Sequence, residues 1–226
     1  MYAKYIKRPL DFILSFCAIC ILCPILLVLI IVGLINMKGN PFFTQLRPGK
    51  DERIFRLIKF RTMTNEKDNA GNLLSDDIRL TKYGKFLRST SLDELPELIN
   101  ILKGDMSIVG PRPQLVRDMV FMTDAQRFRH TVRPGLTGLA QSNGRNAISW
   151  ENKLGFDLQY IENITLIGDI KIILNTVISV FKREGITEED SASSTDLGDY
   201  LLSVNAIDEN IYNEGQQKAI ELIGKN

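Results

Sequence analysis

The chain has 226 residues and a formal net charge of +1, a length that suits one sizeable core or two small ones. The near-neutral total conceals a basic body and an acidic tail. Residues 1–186 carry 18 acidic and 26 basic side chains, whereas residues 187–226 carry nine acidic and two basic ones. A basic body favours anionic partners, and the absence of internal repeats and Gly/Ser linkers excludes a repeat protein or a string of loosely tethered modules.

The first element is an uncharged apolar stretch over residues 12–36. At about 1.5 Å per residue it can form a helix that crosses a bilayer core of about 30 Å, and it is too long for the core of a signal peptide. Pro24 in its middle and basic residues on both flanks are accommodated together by a re-entrant helix–break–helix; a single spanning helix is the alternative. All three cysteines lie here without a fourth ligand, so we interpret them as apolar helix residues rather than an iron–sulfur site.

Residues 41–62 predict two short strands joined by an Arg-Pro-Gly-Lys turn. Apolar and polar residues alternate along both strands, and Lys59 and Arg61 come near the end of the second. The pattern alone leaves open whether these basic side chains line a solvated strand face or an anion site.

The apolar spacing of residues 95–102 predicts a helix that ends at Lys103-Gly104. Pro96 restricts where this helix begins, because a proline is tolerated in the first helical turn but clashes and loses a hydrogen bond farther in. We therefore predict Asp93 as the N-cap, in preference to a capping box that starts at Ser91. At that position the helix dipole lowers the pKa of Asp93 and keeps its carboxylate ionised.

Asp93 and Glu94, side by side in the stretch RSTSLDELPELIN, are also candidates for chemistry. An ionised aspartate can act as a nucleophile, and Mg²⁺ is typically held by one or two carboxylates together with substrate phosphates. Several arginines lie nearby in the sequence, some of them in Pro/Gly-rich turns that let main-chain N–H groups approach a ligand. Together with the apolar N-terminus, they indicate a site for a phosphorylated substrate at a membrane surface. These arginines are Arg88, Arg112, Arg129, Arg133 and Arg145.

From about residue 5 to residue 185, the chain closely resembles the monotopic phosphoglycosyl transferases, the bacterial sugar transferase family. The resemblance rests on several long motifs that occur in the same order as in the family. They are Lys7-Arg8 with Asp11, FFTQLRPG, KFRTM, RSTSLDELPELINILKGDMSIVGPRP, RPGLTGLAQ, NGRNAISW, and Asp157 with Tyr160.

The resemblance implies transfer of a sugar-1-phosphate from a UDP-sugar to polyprenol (undecaprenyl) phosphate, with release of UMP, in a ping-pong cycle. It implies that Asp93 is the nucleophile that becomes the phosphosugar-aspartate and that Glu94 is the Mg²⁺ ligand. It also implies that four basic residues bind phosphates and nucleotide: Lys59, Arg88, Arg112 and Arg145. In the family the N-terminal segment is re-entrant and breaks at a Ser-Pro pair, which here is Cys23-Pro24.

The expected fold is α+β and mostly helical. A re-entrant membrane helix broken at Pro24 occupies residues 1–36, and a compact cytoplasmic catalytic domain with a short β-hairpin and interfacial amphipathic helices occupies residues 37–186. An acidic tail of unknown role follows over residues 187–226, in which EEDSASSTD predicts a disordered joint and QQKAIELIG a short helix. The expected location is the cytoplasmic face of the bacterial inner membrane, with the basic body against anionic lipid.

The expected partners are a UDP-sugar, polyprenol phosphate and membrane lipid, but no nucleic acid. A second copy of the chain or the next glycosyltransferase in glycoconjugate assembly stays open as a protein partner. Two other functions stay open as alternatives, a Mg²⁺-dependent nucleotide-sugar hydrolase and a catalytically silent membrane scaffold. The sequence does not select the sugar among N-acetylated hexosamines, their deoxy-amino derivatives, galactose and glucose.

Four further features have simpler interpretations. We interpret Asp157 as a structural ion-pair partner, Trp150 and Tyr160 as packing residues, and His130 as a residue without a catalytic role. Residues 166–184 predict an amphipathic helix, for which the membrane interface and core packing are equal alternatives.

Overall fold

The computed structural model describes residues 1–144, 148–182 and 195–225. Helices α1 to α11 are Lys7–Met37, Asp76–Arg79, Lys82–Ser89, Glu97–Lys103, Val116–Met119, Asp124–Arg127, Leu139–Ser142, Trp150–Glu162, Leu166–Lys182, Leu197–Ser203 and Glu209–Gly224. Strands β1 to β4 are Phe42–Pro48, Ile54–Phe60, Ser107–Val109 and Gly135–Thr137. The fold is mostly helical with a short hairpin, as predicted from the sequence.

Helix α1 runs without interruption through Pro24. The predicted helix–break–helix is therefore wrong for the backbone, whereas the re-entrant path, which is defined relative to a membrane, stays a prediction. Proline removes one hydrogen bond, to the carbonyl of Cys20, and a 31-residue helix tolerates that loss because regular turns continue on both sides. By length and composition Tyr2–Met37 can cross a membrane, and only 11% of its most apolar window is buried, unlike the core helix of a soluble protein.

Polar side chains in the first turns of α1 fasten it to the rest of the fold. The buried carboxylate of Asp11 accepts hydrogen bonds from the backbone N–H of Ile108 at 3.1 Å and from the hydroxyl of Ser107 at 2.6 Å. The Arg8 guanidinium donates to the carbonyls of Ile101 and Leu102 at 2.6 and 2.9 Å, which satisfies acceptors that the end of α4 leaves free. The apolar helix is thereby held against α4 and β3.

Strands β1 and β2 form the predicted antiparallel hairpin, with Phe42 opposite Phe60. A fully buried asparagine in α4 connects this hairpin to the helix. The Asn100 amide donates to the carbonyl of Arg56 at 2.9 Å and accepts from the N–H of Ile58 at 3.1 Å. These bonds set the position of the C-terminal half of β2, which carries Lys59, relative to α4.

Strands β3 and β4 form a short parallel pair, in which Ser107 faces Gly135 and Val109 faces Thr137. A β-carbon at Gly135 would lie 2.1 Å from the amide nitrogen of Gly110, so the close approach of the two chains requires glycine there. The pairing places the GPRP loop, residues 110–115 after β3, beside the RPG stretch of residues 133–135 that leads into β4.

Helices α8 and α9 pack against β3, where the buried Tyr160 hydroxyl shares its one proton between the carbonyl of Val109 at 3.1 Å and the Asp169 carboxylate at 2.9 Å. This confirms Tyr160 as a packing residue. Helix α9 buries Asp169 and Ile172 but leaves a row of apolar side chains exposed, which favours the membrane-interface alternative over core packing for this helix. The row consists of Leu166, Ile167, Ile170, Leu174, Val177 and Ile178.

In the described part of the acidic tail lie helices α10 and α11, and the stretch QQKAIELIG is helical as predicted, although α11 has 16 residues and begins earlier, at Glu209. The disordered joint predicted over residues 188–196 lies mostly outside the described residues. The boundaries after residues 36 and 186 stay predictions.

Candidate active site

Asp93 and Glu94 lie in a 3₁₀ turn rather than at the start of an α-helix. The turn is Leu92–Glu94, and α4 begins at Glu97, directly after Pro96. The prediction of Asp93 as the helix N-cap is therefore wrong. Pro96 has no amide hydrogen to donate to the carbonyl of Leu92, which instead accepts from the N–H of Leu95 at 3.3 Å, so the turn and α4 do not merge into one helix.

Lys59 joins two carboxylates next to this turn. Its ammonium lies 2.8 Å from Oε1 of Glu94 and 3.1 Å from Oε1 of Glu97, and the three side chains are only 17%, 19% and 4% exposed. Burial lowers the pKa of Lys59, but the two carboxylates outweigh burial and raise the pKa above its ordinary value, which keeps the ammonium charged. Lys59 therefore belongs to a buried charge cluster and not to a solvated strand face.

Arg112, in the GPRP loop, contacts the same oxygen of Glu94 as Lys59 does. Its Nη2 lies 3.1 Å from Oε1 of Glu94. The backbone carbonyl of Arg112 accepts a hydrogen bond from Nη2 of Arg129 at 2.6 Å, and Arg129 in turn donates to one oxygen of Asp157 from Nε at 2.9 Å and Nη2 at 2.6 Å. The Asp157 interpretation as a structural ion-pair partner is confirmed, and this pair supports the backbone of Arg112.

Arg88 approaches the turn from α3. Its Nε donates to the hydroxyl of Thr62 at 3.2 Å. A β-carbon at Gly84 would lie 1.9 Å from the carbonyl oxygen of Thr62, so α3 can pack this closely on the end of β2 only because it carries glycine there. The charge of Arg88 lowers the pKa of Asp93, which places this guanidinium within electrostatic reach of the turn.

The carboxylates of the cluster have different pKa values. Burial and the neighbouring Glu94 charge raise the pKa of Asp93 to about 6, although Lys59 and Arg112 oppose the shift. The predicted lowered pKa of Asp93 is therefore wrong, since desolvation and a like charge act where a helix dipole was expected. Burial also acts against ionisation of Glu94, but Lys59 and Arg112 lower its pKa to about 2. Burial and the charge of Glu94 raise the pKa of Glu97 to about 7.

The sequence profile of the family described as "Bacterial sugar transferase" matches residues 2–183, which is most of the chain. The chain belongs to the bacterial sugar transferase family. The resemblance drawn from the motifs is thereby confirmed.

This bacterial sugar transferase is similar to the "Uncharacterized sugar transferase EpsL" of Bacillus subtilis (strain 168), with 46% identity over 84% of the chain and 94% of the relative. It is also similar to the "UDP-glucose:undecaprenyl-phosphate glucose-1-phosphate transferase" of Klebsiella pneumoniae, with 41% identity over 77% of the chain and 40% of that protein. Identity to the "Undecaprenyl-phosphate galactose phosphotransferase" of Salmonella typhimurium is 34% over 81% of the chain and 42% of that protein. The chain thus spans less than half the length of the last two relatives.

In this sugar transferase, five of the six predicted site residues come together around the 3₁₀ turn: Lys59, Arg88, Asp93, Glu94 and Arg112. Arg145 lies outside the described residues. Sequence reasoning missed Glu97, which shares Lys59 with Glu94. Its signal was a third carboxylate, three residues after Glu94 in DELPE, at a spacing that can place both on one side of a helical segment.

The donor set of the cluster fits a magnesium ion. Within the described residues, no group of three or more His, Cys, Asp and Glu side chains could hold a metal ion by itself. Mg²⁺ commonly uses only one or two carboxylates, with phosphate oxygens of the substrate and water completing its shell. Glu94 has the low pKa of a carboxylate that stays ionised, whereas burial, with the charge of Glu94 added to it, raises the pKa values of Asp93 and Glu97.

His130 lies elsewhere, in the wall of an open cavity that contains none of the predicted site residues. The other lining residues are Asp51, Glu52, Arg127 and Thr131. Burial and the nearby Arg129 charge lower the pKa of His130 to about 3, so the imidazole is neutral at physiological pH. Its position agrees with the interpretation that His130 has no catalytic role.

Proposed function

We propose that this sugar transferase moves a sugar-1-phosphate from a UDP-sugar to a polyprenol phosphate and releases UMP, the first membrane step of glycoconjugate assembly. The observation that carries the proposal is the charge cluster at the 3₁₀ turn, in which Lys59 and Arg112 bind Glu94 beside Asp93 and Arg88 lies within electrostatic reach. The printed activities of the Klebsiella and Salmonella relatives, both on undecaprenyl phosphate, support this pair of substrates.

In the first half of the proposed reaction, a carboxylate oxygen of Asp93 attacks the β-phosphorus of the UDP-sugar. An O–P bond to Asp93 forms, the bond from that phosphorus to the bridging oxygen breaks, and UMP leaves with the bridging oxygen and its electron pair. A pKa of about 6 leaves most Asp93 ionised at neutral pH while keeping it more basic than an exposed aspartate, which favours nucleophilic attack. Arg88 and Arg112 are the guanidinium groups available to the phosphates.

In the second half, a phosphate oxygen of polyprenol phosphate attacks the same phosphorus. The new diphosphate bond forms as the O–P bond to Asp93 breaks, and the free carboxylate is restored. Lys59 keeps the adjacent Glu94 ionised throughout. Glu94 would hold Mg²⁺ together with substrate phosphate oxygens, and the ion would supply neutralisation of the phosphate charge.

The apolar surfaces support a membrane location for this reaction. Most large side chains of α1 are exposed, and α9 adds a second exposed apolar row. The Lys7 ammonium forms an ion pair with the buried Asp169 of α9 at 2.6 Å, which ties the two helices together. We place the chain on the cytoplasmic face of the bacterial inner membrane, where its basic body meets anionic lipid.

A labelling experiment tests the re-entrant path of α1. The three native cysteines are replaced by serine, a single cysteine is introduced as Asn36→Cys, and cells are treated with a membrane-impermeant maleimide before or after permeabilisation. A re-entrant path places position 36 on the cytoplasmic side of the membrane. It therefore predicts labelling only after permeabilisation. Labelling of intact cells would instead indicate a spanning helix.

The activity is tested by incubating the detergent-solubilised full chain with Mg²⁺ and a panel of UDP-sugars, with and without polyprenol phosphate, and following UMP. UMP release that depends on the acceptor is expected. Turnover without acceptor would instead support the nucleotide-sugar hydrolase, and no UMP from any sugar would support the silent scaffold.

The nucleophile is tested by trapping the phosphosugar on the protein in the absence of acceptor and locating it by mass spectrometry. Asp93→Asn is expected to abolish the adduct, because an amide oxygen is a poor nucleophile. Asp124→Asn, an exposed aspartate at the start of α6, is the matched control and should leave the adduct unchanged. An adduct that persists in Asp93→Asn would refute the assignment.

A further inference from the structure

The helices of the acidic tail lie beyond residues 2–183, the part of the chain matched by the family profile, yet they pack closely on the catalytic body. We call residues 195–225 the C-terminal segment. The carbonyl of its first residue, Thr195, accepts a hydrogen bond from the indole Nε1 of Trp150 at 3.0 Å. Leu197 is buried in an apolar cluster with Met122, Trp150 and Leu154. The segment is therefore an integral part of the packed structure of the described residues.

One aromatic side chain of the body is enclosed by this segment. The ring of Phe121 lies between two glycines, because a β-carbon at Gly198 would lie 2.5 Å from it and a β-carbon at Gly215 would lie 2.4 Å from it. Tyr212 stacks on the same ring with a centroid distance of 5.9 Å. Since both α10 and α11 approach the ring where only glycine fits, Phe121 cannot move away from one helix without moving into the other.

A buried carboxylate connects the segment to the site. Asp118, 2% exposed, accepts the backbone N–H of Leu197 on Oδ1 and the backbone N–H of Leu115 on Oδ2, both at 2.9 Å. Next to it, Arg117 forms an ion pair with Asp196. One aspartate therefore binds the start of α10 and the end of the GPRP loop at the same time.

The GPRP loop, residues 110–115, carries Arg112. Its other supports come from the body. Arg47 donates to the carbonyl of Pro113 at 3.1 Å and Arg129 to the carbonyl of Arg112 at 2.6 Å, and two backbone bonds of 2.9 Å join the start of the loop to β4, from Gly110 to Thr137 and from Gly135 to Pro111. The Leu115–Asp118 bond completes this set at the C-terminal end of the loop. Part of the anchoring of Arg112 thus depends on a side chain that is itself shared with the C-terminal segment.

We propose that the C-terminal segment positions Arg112 for the phosphates of the nucleotide sugar, with Asp118 as the positioning residue that connects the two. The proposal rests on the proposed function for its phosphate ligand, but the mechanical coupling is independent of it. Release of the segment from Phe121 frees one oxygen of Asp118, loosens the GPRP loop, and weakens substrate binding at Arg112. The acidic tail then has a role in the active site without contributing a residue that touches the substrate.

The coupling is tested in the full chain by hydrogen exchange of Gly215→Ala against Gly224→Ala. Both substitutions lie in α11, but the first places a methyl group against Phe121 and the second meets nothing within 4 Å. Gly215→Ala is expected to speed exchange in residues 195–225 and also in residues 111–118, by about tenfold or more. Gly224→Ala is expected to leave both regions as they are in the unsubstituted chain.

Three results would overturn the proposal. Faster exchange in residues 195–225 without any change in residues 111–118 would show that the C-terminal segment does not position the GPRP loop. Unchanged exchange in both regions would show that Phe121 does not hold the segment. If Gly215→Ala does not fold, Trp150→Phe is measured in the same way. This substitution removes the indole donor to Thr195 and part of the ring that packs with Leu197, and the same two patterns refute the proposal.

Steady-state kinetics provide the functional readout. Asp118→Asn keeps the side-chain volume but replaces one of the two acceptor oxygens by a donor, so the Leu115 and Leu197 amides cannot both be bound. We expect the KM for the UDP-sugar to rise about tenfold with kcat changed by less than about twofold, because Arg112 is displaced while Asp93 is not. A lower kcat in Asp118→Asn with a KM equal to that of the unsubstituted chain would refute the positioning role. If the unsubstituted chain releases no UMP, the proposed function fails, and hydrogen exchange still decides the coupling.

Discussion

The buried Arg129–Asp157 ion pair carries a quantitative prediction for the stability of the fold. Both side chains are 2% exposed, and two nitrogens of Arg129 bind the same oxygen of Asp157 at 2.9 and 2.6 Å. Burial raises the pKa of Asp157 above its ordinary value, although Arg129 opposes the shift, so desolvation of this carboxylate is substantial. Asp157→Asn removes the negative charge and leaves a buried guanidinium without a counter-ion.

Breaking a buried pair from one side costs about 3–5 kcal/mol, which is a large part of the 5–15 kcal/mol that stabilises an ordinary domain. The matched control is Asp76→Asn. Asp76 pairs with Arg79 at a spacing of i,i+3, but its side chain is 37% exposed. The Arg79 side chain is only 15% exposed, but the carboxylate stays in contact with water, so the control is expected to lose no more than the ~1 kcal/mol of a surface pair.

The assay is equilibrium unfolding by urea in detergent, followed by fluorescence of Trp150, the single tryptophan of the chain, which lies in the same helix as Asp157. We expect the free energy of unfolding to fall by at least about 3 kcal/mol in Asp157→Asn and by less than about 1 kcal/mol in the control. Losses that differ by less than about 1 kcal/mol between the two variants would refute the argument, because burial would then not determine the cost.

Three further predictions concern the site and its support. Because Asp93 has a pKa of about 6 and reacts as the carboxylate, kcat/KM for transfer should be nearly constant from pH 7 to 8 and fall about tenfold per unit below pH 6; a profile flat down to pH 5 would contradict this. Gly84→Ala should lower the free energy of unfolding by about 2–3 kcal/mol, since its methyl would meet the carbonyl of Thr62, whereas Gly155→Ala, in open space, should cost nothing; equal effects would be inconsistent with the packing. Lys59→Gln should lower kcat about 100-fold by leaving its carboxylate partners uncompensated, and a loss below about threefold in the same UMP assay would exclude the role.

Several features could be predicted because they depend on short stretches of sequence. The β-hairpin follows from alternation around a Pro-Gly turn, and α4 ends at Gly104 because glycine adopts its φ of 93° there without strain. The apolar length of the N-terminal stretch predicts a helix long enough to cross a membrane, and α1 has that length and composition. The adjacency of Asp93 and Glu94 is likewise visible in the sequence.

Other features depend on contacts that local patterns do not encode. The pKa of Asp93 rises chiefly because tertiary packing buries its carboxylate, and the adjacent Glu94 adds to the shift; the helix-dipole argument did not include this burial. Glu97 entered the cluster because Lys59, 38 positions earlier in the sequence, folds against it. Helix α1 continues through Pro24, since a single missing hydrogen bond does not decide the path of a long helix.

The sequence by itself thus determined the family, the carboxylate pair and most of the basic residues that accompany it, because motif chemistry and hydrophobic periodicity are local properties. The tertiary structure decided which of these charges are buried together, how each carboxylate titrates, and that the acidic tail reaches the GPRP loop through Asp118. The reason is physical: desolvation and Coulomb interactions depend on distances in space between residues that are far apart along the chain.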